Sequence, residues 1–287
     1  MRWKDTPSGP LRAAEHLLWG AFGQQADSVA EHVNRDPGFR NRIARFVLNG
    51  GMEPSVDVRV ARALLGNSLI DLADWALLFG TRFEDSEVQN ALQFPWHEDV
   101  IMSECPFNKG KLIKDTHTAF FGLPKLNGQP LTVAKWIELQ PATGQPKFFF
   151  NDDPWHADQP HIEVMTLLPR WYLLLTEVVP GSTGMTPDDM DSILPAEYEP
   201  PSTIAEVTKN MLVYHKTGRR PNYSKLARCA ELTIVTERWS DRCPSLVGIF
   251  SEIGLSINGW SSNRFVGVGC GASRKLPPDR TAMCGTD

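Results

Sequence analysis

Two alternating runs near the C-terminus give the chain its clearest pattern. Between Ile253 and Asn258 apolar and small polar residues alternate strictly, the period of a half-buried strand whose successive side chains leave opposite faces. Asn258-Gly259 follows, a dipeptide that accepts positive φ and suits a tight hairpin or a strand-end loop. From Phe265 to Ser273 a second alternation sets Val266, Val268, Cys270 and Ala272 on one side and Gly267, Gly269 and Gly271 on the other. Glycine weakens a strand unless another backbone must come close, so this run predicts a crowded, central strand.

Upstream the period changes. Residues 10 to about 90 read as helical, with Leu11, Ala14, Leu17, Leu18 and Ala21 on one face and Ile43, Phe46 and Val47 on a shorter stripe. Leu69, Leu72, Trp75, Ala76 and Phe79 form a stronger stripe that ends at Gly80, with Asn67 or Ser68 as its expected cap. Near Phe94 Pro, Gly and aromatic residues become dense. Lys111–Leu123 reads as a strand, Leu126-Asn127-Gly128 as a turn, and Leu131–Leu139 as a strand or a short helix. Residues 141–161 read as a long loop and Arg170–Val179 as a buried strand. Thr186-Pro187-Asp188-Asp189 carries the cap, N1 proline and carboxylates of a helix start. Thr203-Ile204-Ala205-Glu206 reads as a capping box opening a helix that Gly218 ends. The expected fold class is α+β: a helical region over 1–92, then a domain over 93–287 with short antiparallel strands, two helices and long loops.

Composition narrows the function classes. At 287 residues the chain is long enough for one large domain or two modest ones. A formal net charge of −5 argues against nucleic acid as the main partner, and the arginines 40, 42 and 45 read as a solvated helix face. The most apolar run, Val164–Val179, is broken by Pro169 and Arg170, so no membrane partner is expected. The N-terminus has no apolar core of the secretory kind, and the five cysteines form no C-x-x-C pair, which favours a cytoplasmic location with reduced thiols.

The ordered segments RWYLLLTEVVPGS, TPDDMDSIL, LPAEYEPPSTIAEVTKNMLVYHKTGR, Ala227-Arg228 and RFVGVGCGASRK, with ECPFNKGKLIKDTH before them, resemble the C-type-lectin-like fold. The resemblance is to the branch that contains formylglycine-generating-enzyme-like proteins and the variable proteins of diversity-generating retroelements. It covers roughly residues 94–275. It implies a non-enzymatic ligand-binding, or display, protein whose C-terminal surface is varied by adenine-specific copying. Ser240, Arg242, Ser245, Ser256, Asn258, Ser262, Asn263 and Phe265 are compatible with such diversified positions. Trp260 belongs to the same binding surface as a fixed anchor, because Trp cannot arise from the diversified codons; Trp239 is fixed for the same reason. The implied partner is a protein or other macromolecule at that surface, with the N-terminal helices free to dock another protein or self-associate. The segment 231–243 departs from the run expected there.

Enzymatic alternatives come from different residues. A formylglycine-generating-type oxidase needs paired cysteines, and Cys270 has only the distant Cys243 to meet through the fold. His97-Glu98-Asp99, with Asp152, Asp153, His156, Asp158 and His161, gathers metal-ligand types, yet no H-E-x-x-H or EF-hand spacing occurs. Asp115, His117 and Ser103 lie near one another, but there is no G-x-S-x-G elbow. No catalytic residue, metal or cofactor is therefore assigned. An undiversified structural module of a phage or defence system is a third class.

Overall fold

The computed structural model describes residues 56–141, 144–149, 159–233, 243–259 and 265–277, together with Glu31 and Arg35. The chain divides into two compact units, Met1–Pro54 with Arg280–Asp287, and Ser55–Asp279. The described elements belong almost wholly to the second. The helices expected around Leu11–Ala21 and Ile43–Val47, and the arginines 40, 42 and 45, lie outside the described residues.

In chain order the elements are β1 (Val56–Asp57), α1 (Val58–Leu65), β2 (Leu69–Ile70), α2 (Leu72–Phe79), α3 (Asp85–Ala91), β3 (Gln93–Phe94) and α4 (Glu98–Ile101). Then come α5 (Ile113–Thr116), β4 (His117–Phe121), β5 (Lys125–Leu126), β6 (Gln129–Pro130), α6 (Val133–Leu139), β7 (Phe148–Phe149), α7 (Pro160–Glu163) and β8 (Trp171–Leu175). The chain continues through α8 (Pro187–Ser192), β9 (Tyr198–Glu199), α9 (Thr203–Thr217), β10 (Leu226–Leu232), β11 (Pro244–Ser251), β12 (Gly254–Gly259), β13 (Val268–Cys270) and β14 (Ser273–Arg274). The class is α+β, built on two five-stranded sheets of order β2-β4-β8-β14-β9 and β13-β10-β11-β12-β7.

Punctuation residues set many of the boundaries. Asp71, not Asn67 or Ser68, caps α2: its Oδ1 accepts from the backbone N–H groups of Ala73 and Asp74, while Asp74 Oδ2 accepts from Asp71 N. Leu69, the first residue of the expected stripe, is in β2. Gly80 closes α2 at φ 65° and Gly218 closes α9 at φ 73°, the left-handed geometry in which a Cβ is unwelcome. Asn127 and Gly128, at φ 50° and 81°, make the two-residue turn between β5 and β6. Lys111–Leu123 is not one strand, because α5 interrupts it: Thr116 Oγ1 donates back to Leu112 O before β4 begins.

Residues 58–91 belong to the α+β unit rather than to a separate N-terminal region. β2 pairs in parallel with β4, and Trp75 Nε1 donates to Phe121 O at 2.9 Å. The reason is burial, since Ala61, Leu65, Leu72 and Trp75 enter the same apolar core as β4 and β8.

Helix α9 runs between the sheets, packing on β10 and β11 of one and on β4 and β8 of the other. Every residue from Thr203 to Val213 is buried. Its cap is Ser202, whose Oγ accepts from Ala205 N, so the expected Thr203–Glu206 box is displaced by one residue. Glu206 turns inward instead, 2.6 Å from Lys209 Nζ, and both side chains are 1% exposed. Lys209 also donates to Leu175 O, while Asn210 and Asn222 donate to Glu206 Oε1.

The run 268–274 joins the sheets. β13 lies beside β10 in parallel at a sheet edge, not at its centre, and β14 sits between β8 and β9 of the other sheet. The far side of β13 is closed by Val179 N donating to Cys270 O and by Cys270 N donating to Ser182 Oγ. Crowding is real here: a Cβ on Gly271 would stand 2.8 Å from Arg228 O and from Pro201 Cγ. Val266, expected on the core face, is 84% exposed. It precedes the strand, in a turn where Val268 N donates to Phe265 O.

Two outcomes follow. Lys209→Met should lower the unfolding free energy by about 3–5 kcal/mol, because Glu206 is left buried without its cation. The double variant Lys209→Met/Glu206→Gln should regain most of that loss in urea titrations, and an undiminished loss would rule out the stranded charge as its cause. Gly271→Ala should cost about 1–3 kcal/mol through overpacking, read as a lowered thermal midpoint; an unchanged midpoint would mean that Pro201 and the β10 backbone yield freely.

Candidate functional site

The expected binding residues cluster in sequence around one end of the second sheet. There β10 and β11 close as an antiparallel pair, with Leu232 opposite Pro244. Thr233 N donates to Cys243 O at 2.7 Å, and Cys243 N donates to Thr233 Oγ1 at 3.1 Å. Gly259, the last residue of β12, lies opposite Ser245. The described ends of the connections 234–242 and 260–264 at Thr233, Cys243 and Gly259 therefore converge on this end of the sheet. Ser240, Arg242, Trp260, Ser262 and Asn263, all within those connections, lie outside the described residues.

The remaining expected residues divide. Ser245 is fully buried, its Oγ 2.9 Å from Thr203 Oγ1 at the start of α9. Ser256, expected to face solvent, is 6% exposed and accepts from Asn258 Nδ2. The alternation in β12 is present, but β12 lies between β11 and β7 and both of its faces are covered as far as Ile257. Asn258 is half-buried. Phe265 is exposed, but it precedes the residue that pairs with Leu226, so it belongs to the opposite end of β10 from Thr233.

Beneath this end of the sheet lies a polar cluster that the sequence does not single out. Glu231 Oε2 accepts from both the backbone N and Oγ1 of Thr203, each at 2.7 Å, placing a carboxylate at the positive end of α9. His161 on α7 is 3% exposed and its Nε2 has no hydrogen-bond partner. Burial lowers the pKa of His161, which favours the neutral ring, with Glu231 opposing. Burial also raises the Cys229 thiol well above its ordinary value, reinforced by Glu206 and Glu231. That thiol is protonated and unreactive at neutral pH.

The candidate catalytic and metal residues Cys243, Cys270, His97, Ser103, His117 and His161 are among the described residues. Cys243 and Cys270 are both buried, and burial pushes the Cys270 thiol up to about 12. His97 caps α4, its Nδ1 accepting from Asp99 N. Residues 151–158, with His156, lie outside the described residues, and among the described residues no group of three or more His, Cys, Asp or Glu could hold a metal ion. Ser103 is exposed and donates to Val100 O, whereas His117 is wholly buried. His117 is held between Thr116 Oγ1 at Nδ1, 2.9 Å away, and the Tyr198 hydroxyl at Nε2, 3.1 Å away. Arg274 donates to the same hydroxyl. Both ring nitrogens of His117 therefore have a hydroxyl partner. Among the described residues no helix is long and apolar enough to cross a membrane.

The pKa of His117 falls to about 3, chiefly through burial, with Arg274 and Lys209 adding repulsion. The folded state therefore favours the neutral ring. Its contribution is complete above the unfolded value of 6.5 and is lost as pH falls from there toward 3. Stability should decline over that window with a slope of up to about 1.4 kcal/mol per pH unit from this group, and His117→Phe should show a shallower decline in denaturant titrations. Ring proton shifts of the unmodified protein provide an independent reading, since a His117 ring that is charged at pH 5 would overturn the assignment.

Compared with protein-family models, curated proteins and solved structures, the chain matches none of them.

Proposed function

We propose that this protein is a non-enzymatic ligand-binding protein of the diversity-generating-retroelement class, displaying a varied surface on a C-type-lectin-like domain. One observation carries the reading: the chain at Thr233, Cys243 and Gly259, which flanks 234–242 and opens 260–264, is held in the sheet by Thr233 N donating to Cys243 O, by Cys243 N donating to Thr233 Oγ1 and by the pairing of Gly259 with Ser245. Binding residues are best held on a rigid framework that tolerates their replacement. Small polar residues then adapt their hydrogen bonds around aromatic anchors. Ser240, Arg242, Ser262 and Asn263 are the varied positions, Trp260 is a fixed anchor, and Asn258 stands at the rim. Ser245 and Ser256 move to the framework. Phe265 lies toward the Leu226 end of β10, the opposite end from Thr233. The ligand is a protein or another macromolecule.

Two measurements test this. Substituting Ser240, Arg242, Ser262 and Asn263 together with other residues reachable from adenine-rich codons should shift the thermal midpoint very little. Ser245→Arg, by contrast, should cost several kcal/mol, on the order of the penalty for a buried unpaired charge. Comparable destabilisation by both sets would remove the division between display and framework. At the level of DNA, the 3′ end of the coding sequence should have a near-copy close to a reverse-transcriptase gene, differing mainly at adenines. Complete flanking sequence without such a copy would overturn retroelement diversification while leaving ligand binding to be judged separately.

A further inference from the structure

We draw no further inference here: the strongest candidate, the buried cluster of His161, Glu231, Thr203 and Ser245 at the N-terminal end of α9, carries nothing because the Glu231 carboxylate is already bound by Thr203, Ser245 is closed from solvent, and no third metal-ligating side chain among the described residues joins His161 and Glu231.

Discussion

The fold depends on an ion pair taken out of water. Removing a carboxylate and an ammonium from solvent costs several kcal/mol per ion, and their mutual attraction offsets this only when their remaining hydrogen-bonding capacity is used. Around Glu206 and Lys209 much of it is: Lys209 reaches the carbonyl of Leu175 at the end of β8, while Asn210 and Asn222 converge on Glu206 Oε1. Asn222 is held at φ 52°, a conformation asparagine accepts more readily than most residues, and its backbone N–H donates to Glu177. Through these bonds α9 holds the end of one sheet and the approach to β10 of the other at once. An apolar α9 would fill the same space without specifying how the two sheets meet.

The C-terminal run supplies the second tie. Within seven residues it pairs with β10 in one sheet and then with β8 and β9 in the other. Glycine at 269 and 271 lets Ser182, Val178, Pro201 and the β10 backbone approach closer than any side chain allows. Arg228, opposite Cys270 in β10, grips Asp191 through both guanidinium Nη atoms and so fastens α8 beside the same strand. Both edges of β13 are thus occupied, which leaves no open strand edge at this side of the sheet.

Local chemistry was legible in the sequence, and burial was not. Thr186 with Pro187, Gly80, Gly218 and Asn127-Gly128 act through their own backbone geometry, and each stands where its residue type requires. The strand at Trp171–Leu175 was readable as a continuous apolar run. A period of two, however, separates faces without telling whether the second face is covered; the alternation sends Ser256 to solvent, whereas both faces of its strand are buried as far as Ile257. Val266 shares the spacing of Val268 and Cys270 but stands before pairing begins. Glu206 and Lys209, three apart, have the spacing of an ordinary solvated helix pair; only the two sheets on either side of α9 bring them inside. The candidate site was legible as a stretch of sequence rather than as a surface, because strand register and depth decide which of its serines reach solvent.

That last distinction bears on what diversification demands. Ser240 and Ser245 are five positions apart and have the same side chain. Ser245 lies against Thr203 inside the domain, opposite Gly259, where added volume must displace the start of α9. Thr233 and Cys243 close the strand pair just outside that buried position. On the proposed reading, variation in 234–242 is tolerable only beyond that closure, and Gly259, opposite Ser245, marks the corresponding limit for 260–264.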